Sequence, residues 1–123
     1  YPGVSVDRAA AMRSGGPEMV AAIESMGGFD LHSRETLAAE VAVAVARAEA
    51  LGLPLYCGEF GSLGNPGRDI RLQYYRNVVS VFKQFGIAYS NWDYKGSFRI
   101  VDPVTFAVDH ELISILTGNV ADL

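Results

Sequence analysis

Apolar residues recur along this chain in two rhythms, one spaced by three and four residues and one nearly continuous. Between Pro17 and Gly27, Met19, Val20, Ile23 and Met26 mark a short amphipathic helix that begins at a proline. Ser14 to Pro17 reads as a break and Tyr1-Pro2-Gly3 as a turn, which makes residues 1–33 the least regular part. Ser33 caps a second helix, in which Leu37, Val41, Ala44, Val45, Ala48 and Leu51 form one stripe that stops at Gly52. Pro54 then opens a short apolar strand, Leu55-Tyr56-Cys57, of the kind found where parallel strands are covered on both faces. After a loop from Gly61 to Gly67, a third helix capped by Asp69 carries Leu72, Tyr75, Val78, Val79, Phe82 and Phe85 on its inner face. Gly86 ends it and Ile87 to Trp92 form the next strand. Phe98 to Val101 reads as a further short strand, and Asp109 caps a last helix through Leu112, Ile113, Ile115 and Leu116 to Gly118.

The order is two strand-plus-helix units with an additional helix in front. Strands joined through helices run parallel, so the predicted class is α/β, with parallel strands alternating with helices. Glu59 and Trp92 then fall at the same, C-terminal end of the sheet, where barrel enzymes of this class keep their chemistry. With a side-chain period of two, Leu55, Cys57 and Glu59 share one face and Tyr56, Gly58 and Phe60 the other. This predicts that Glu59 projects inward at a barrel mouth, and Gly58 and Gly61 leave room for a ligand. A lone glutamate after a strand is usually a solvated or salt-bridged loop residue. Here its position, the flanking glycines and Trp92 favour a site. Trp92 ends its strand and is followed by polar Asp93 and Lys95, which points to a rim rather than a core. An indole face stacks on the C–H face of a sugar ring and leaves the hydroxyls free. Lys95 is either a solvated rim lysine or a donor to a hydroxyl of that sugar.

Composition narrows the classes further. The 123 residues make one domain at most. A net charge of −4 offers no basic face, so neither nucleic acid nor an anionic membrane surface is an expected partner. No apolar run reaches the ~18 residues of a membrane span. Cys57 is the single cysteine, lacks a paired histidine and reads as core filler. His32 and His110 adjoin helix starts and read as surface residues. With no metal-ligand spacing, phosphate loop or Ser/His/Asp set, no metal and no cofactor is expected.

Leu53-Pro54-Leu55-Tyr56-Cys57-Gly58-Glu59-Phe60-Gly61, followed by Asn91-Trp92-Asp93-Tyr94-Lys95-Gly96-Ser97-Phe98, resembles the seventh and eighth strands of the glycoside hydrolase family 5 cellulases. The resemblance runs from about Phe29 to Gly118. It implies a (β/α)8 TIM barrel that hydrolyses β-1,4-glycosidic bonds in a glucan such as cellulose, with retention. It assigns Glu59 as the nucleophile and Trp92 as the sugar platform. Tyr1 corresponds to the tyrosine of the family's strand-six His-x-Tyr or to a neighbour of it. The family's acid/base glutamate, which follows an asparagine near the end of strand four, has no counterpart here, and Arg99 stands where the family commonly has glycine. A retaining mechanism needs two carboxyl groups ~5–5.5 Å apart, so these residues hold the nucleophile half of such a site.

A complete barrel takes ~250 residues. Residues 1–123 are therefore expected to be the C-terminal fragment of a single glycoside hydrolase catalytic domain, beginning just after strand six. Its open strand edges are expected to pair with the missing N-terminal barrel part or to self-associate. The expected ligand is a β-glucan or related polysaccharide, and the resemblance implies a secreted or periplasmic protein. The competing reading is a non-catalytic carbohydrate-binding or assembly fragment that lacks the acid/base.

Overall fold

The computed structural model describes residues 3, 4, 6–63 and 67–118. In chain order they form β1 (Gly3–Val4), α1 (Arg8–Ser25), β2 (Leu31–His32), α2 (Arg34–Leu51), β3 (Tyr56–Phe60), α3 (Arg68–Gln84), β4 (Ala88–Asn91) and α4 (His110–Thr117). The two strand-plus-helix units are β3–α3 and β4–α4. β3 and β4 pair in parallel, as the helix between them requires.

Local chemistry explains most helix boundaries. Ser33 and Thr36 form a reciprocal capping box at the start of α2, with hydrogen bonds of 2.9 and 3.2 Å. Glu35 lies in the first turn, where hydrogen bonding to its own backbone N–H and then to Ser33 holds its carboxyl below the ordinary value. The α2 helix ends at Gly52 in the left-handed conformation, and α4 likewise at Gly118. Asp109 caps α4 by accepting from the Leu112 N–H at 3.1 Å.

Four sequence expectations change. Helical structure starts earlier, at Arg8, capped by Asp7; a kink at Gly16, φ 65°, breaks it into two segments, and Pro17 opens the second as the pattern predicted. An Arg8–Glu24 ion pair of 2.6 Å spans the kink. Residues 3–4 and 31–32, read as irregular, pair as two short antiparallel strands. The cap of α3 is Gly67, with no side-chain hydrogen bond, and Asp69 sits in the first turn. The expected strand at 98–101 shrinks to a single antiparallel bridge, Val101 to Val108, because Asp102 immediately turns the chain back.

The core lies between one face of the β3–β4 sheet and helices α3 and α4. It consists of Phe60, Leu72, Tyr75, Val78, Val79, Phe82, Ile87, Leu112 and Ile115. Leu37, Val41 and Val45 of α2 pack against it without becoming fully buried. Arg34 joins α2 to α3 through Ser80 at 3.0 Å and Gln84 at 2.6 Å. The continuous apolar character of β3 predicted cover on both faces. The structure leaves the second face open: Tyr56 is 59% exposed, and Ala88 and Ser90 beside it are exposed too.

Candidate active site

The register of β3 against β4 decides where Glu59 stands. Cys57 pairs with Tyr89 and Phe60 pairs with Asn91, so three steps along β3 match two along β4. The extra residue is a β-bulge, and it reverses the alternation of side chains. Cys57 packs against the helical core, and after the bulge Phe60 does too. Glu59 is left exposed, on the open side with Tyr56. Strict alternation had put Glu59 on one face with Leu55 and Cys57. That grouping is corrected: Leu55 and Cys57 face the helices. Among the described residues, nothing donates a hydrogen bond to the Glu59 carboxylate. The Cys57 thiol donates to the Glu59 carbonyl at 3.4 Å, and the Tyr56 and Ser90 hydroxyls bond to each other across the open face.

Trp92 follows β4 directly. Its N–H donates to the Phe60 carbonyl at 2.8 Å, which continues the ladder one residue and fixes the indole-bearing residue beside the end of β3. Trp92 is 52% exposed, as a rim residue should be. Gly61 backs this junction. A Cβ there would collide with the Trp92 carbonyl and lie 3.2 Å from the Phe98 Cβ, so only glycine permits the approach. The Trp92–Asp93 peptide is cis. Asp93 accepts from the Phe98 N–H at 3.1 Å and packs against Gly96, so its carboxylate closes the 93–98 loop.

The structure thus brings Glu59 and Trp92 to one end of adjacent parallel strands. Lys95 lies three residues beyond Trp92, half-buried, with its ammonium 4.2 Å from the centre of the Phe106 ring and 5.3 Å from that of Tyr94. Tyr1 lies outside the described residues. Among those residues no group of three or more His, Cys, Asp and Glu could hold a metal ion, and no helix is long and apolar enough to cross a membrane.

Arg71 is a residue that sequence reasoning passed over. It is buried and donates to the carbonyls of Ser62 (3.2 Å), Phe98 (3.0 Å) and Arg99 (2.6 Å). Its guanidinium also lies 5.4 Å from the centre of the Tyr75 ring and 3.8 Å from Asp109. One side chain therefore ties the loop after β3 to the loop after β4, the two loops that frame Glu59 and Trp92. The signal was present: Arg71 occupies the stripe of Tyr75, Val78 and Phe82, where a charge has no reason to sit unless it is bonded. Around it, Arg68 pairs with Asp109 at 3.0 Å and Glu111 at 2.7 Å, and Arg76 pairs with Glu111 at 2.6 Å. The hydrogen bond to Glu111, with the nearby Asp109 charge, raises the Arg68 guanidinium further above its ordinary value. A cleft of about 430 Å³ beside these residues also takes in Arg99, which lies 3.6 Å from Asp102. Its arginines are all matched by carboxylates, so it is a structural network.

No protein-family model matches the chain. Endoglucanase C of Acetivibrio thermocellus is 28% identical over 85 residues, covering 68% of this chain and 25% of that protein. The chain spans about a quarter of the length of the curated relatives it matches. Among solved structures, a hyperthermophilic endo-β-1,4-glucanase in complex with substrate superposes at a TM-score of 0.64 with 20% identity, covering 69% of this chain and 27% of that one. Thermotoga maritima Cel5A in complex with mannotriose superposes at 0.65 with 21% identity, covering 82% of this chain and 34% of that one. These likenesses show the fold. The chain has the fold of part of an α/β barrel of the (β/α)8 type, and in both motif and fold it resembles the glycoside hydrolase family 5 cellulases.

Proposed function

We propose that this chain supplies the nucleophile half of the active site of a retaining β-1,4-glucan hydrolase, as the C-terminal fragment, residues 1–123, of a single catalytic domain. The observation that carries the reading is the juxtaposition of an exposed Glu59 and an exposed Trp92 at the same end of two hydrogen-bonded parallel strands. The endoglucanase relatives and the substrate-bound barrels of the same fold support it.

In this reading the sugar stacks its C–H face on the Trp92 indole, and this holds the anomeric carbon over the end of β3. The Glu59 carboxylate attacks that carbon and forms a glycosyl-enzyme ester as the glycosidic C–O bond breaks. The leaving oxygen takes a proton from a second carboxyl group, which the remainder of the barrel contributes. Water then hydrolyses the ester, with the second group now acting as base. Lys95 donates to a hydroxyl of the bound sugar, and Tyr1 contacts substrate at the site edge. The edges of the β3–β4 sheet take the neighbouring strands of the barrel, and its open face lines the barrel interior. The ligand is a β-glucan or a related polysaccharide, and the protein works in a secreted or periplasmic setting. A second reading draws on the lack of a counterpart to the family's acid/base: by itself the chain is a carbohydrate-binding or assembly fragment without turnover.

The test uses the protein that carries the second carboxyl group. A 2-fluoro-glycoside inactivator should esterify Glu59, located by peptide mass spectrometry. Glu59→Gln should lower kcat by about a thousandfold or more with substrate binding within a few-fold, since the lost interaction belongs to the transition state. Label on another carboxylate, or more than about a tenth of activity in Glu59→Gln, removes Glu59 from the role; a tenth corresponds to only ~1.4 kcal/mol.

A further inference from the structure

Phe106 occupies a position that glycine would suit better. Its backbone φ is 59°, a region that bulky residues avoid. A tight turn imposes it. The Asp102 carboxylate accepts from the N–H groups of Val104 at 2.9 Å and Thr105 at 2.8 Å. The Phe106 N–H donates to the Asp102 carbonyl at 3.0 Å, and the Asp102 N–H to the Ala107 carbonyl at 2.9 Å. The ring is not part of the core that α3 and α4 close, so packing does not account for a strained phenylalanine here. Its contact with Lys95 does. The Lys95 ammonium stands 4.2 Å from the centre of the Phe106 ring and 5.3 Å from that of Tyr94, both within the ~6 Å over which an aromatic face attracts a cation. Among the described residues no carboxylate forms an ion pair with this ammonium. The contact ties the 102–107 turn to the loop that Asp93 closes on the Phe98 N–H.

We propose that Phe106, with Tyr94, is a positioning residue for Lys95: the ring faces confine the ammonium to one place on the rim and leave its remaining N–H groups free to donate to the sugar hydroxyl. This rests on the reading of Lys95 as a sugar donor above. A ring face that carries the ammonium is not open to a sugar, so these rings act on the ligand through the lysine. A lysine on a free stem surrenders its rotamer freedom when it donates to a ligand. One already confined over two rings has surrendered much of it beforehand. A carboxylate would confine the ammonium too, but it would compete with the sugar for the same protons.

The experiment measures cellotriose binding by calorimetry in the complete protein, with turnover blocked by Glu59→Gln, as a double-mutant cycle. Lys95→Met keeps the stem, removes the donors and should weaken binding about tenfold. Phe106→Leu keeps an apolar side chain in the turn and removes the ring face. It should weaken binding about threefold, and Phe106→Gly, which fits the turn without strain, should match it. Phe106→Tyr keeps the face and should restore binding. In the Lys95→Met background Phe106→Leu should have no further effect, an outcome that a merely structural role would not give. A loss from Phe106→Leu that persists undiminished in Lys95→Met, or that Phe106→Gly does not share, overturns the proposal. So does tight binding by Phe106→Leu where Lys95→Met binds weakly. Full binding by Lys95→Met overturns it as well, and a tenfold loss in Trp92→Ala would then leave the carbohydrate reading standing. If Trp92→Ala is also without effect, or cellotriose does not bind at all, both fall.

Discussion

The two faces of the β3–β4 sheet are built from neighbouring residues of the same two strands, yet they are physically opposite. On the helix side, Phe60 meets Tyr75, Phe82 and Tyr89 edge-on, with ring centres 5.8, 5.2 and 5.5 Å apart. Those contacts are complete within the chain. On the other side stand Tyr56, Ala88, Ser90, Glu59 and Trp92, all exposed. The bulge at Gly58–Glu59 makes this division possible, because it gives Phe60 to the core and leaves a carboxylate outside. Stability is thus concentrated on one face, and the residues able to do chemistry on the other.

Paired truncations would break or sharpen that contrast most strongly. Phe82→Ala empties the centre of the closed face and should cost about 3–5 kcal/mol in a urea titration, the usual range for a buried phenylalanine. Tyr56→Ala on the open face should cost less than about 1 kcal/mol, since it removes an exposed ring and one hydroxyl pair. Comparable losses from the two would mean that the open face is packed in solution, by other barrel strands or by a second copy.

Much of this division was legible in the sequence, and its limits are instructive. The stripes of α2, α3 and α4 and the caps at Ser33 and Asp109 depend on neighbours three or four residues away, so a local reading finds them. The parallel pairing follows from the intervening helix. The bulge does not, because one additional residue in β3 is set by its fit to β4, and no local pattern records it. Glu59 was therefore grouped with Leu55 and Cys57 by an alternation that the structure does not follow, although it does stand on the face away from the helices, the face that a barrel turns inward. Arg71 and Phe106 escaped for a related reason. Their partners, the carbonyls of Ser62, Phe98 and Arg99 and the ammonium of Lys95, lie 9 to 28 residues away.

Arg71 links the two faces, since it is buried on one side and positions the loops of the other. Arg71→Met keeps much of the side-chain volume and removes every donor. Three carbonyls and Asp109 lose a partner, which should cost about 2–3 kcal/mol. The effect on the open face should be separable. In the complete protein, kcat should fall even under conditions where the variant remains folded by circular dichroism, because the ends of β3 and β4 lose their common tie. Full activity at undiminished stability would show that the loops hold their places without it.

The smallest effect concerns the rim turn at residues 102–107, which belongs to neither face. Hydrogen bonds from the backbone N–H groups of Thr105 and Val104 hold the Asp102 carboxyl below its ordinary value of 3.8. A carboxyl depressed in the folded state contributes stability above its unfolded pKa and loses it as the pH falls through the lower folded value. The turn should therefore be intact above about pH 4 and loosen only below it, while the helix-side core is unaffected. Amide hydrogen-exchange protection of Val104 and Thr105, measured by NMR from pH 6 down to about pH 2.5, reads this directly. Protection should drop at the acid end for these two amides and not for Val78 or Val79 in α3. In Asp102→Asn the amide oxygen still accepts but cannot titrate, so protection should be lower throughout and flat with pH. If the acid loss persists in Asp102→Asn, another group controls the turn, and Phe106 is held in place by something other than this carboxylate.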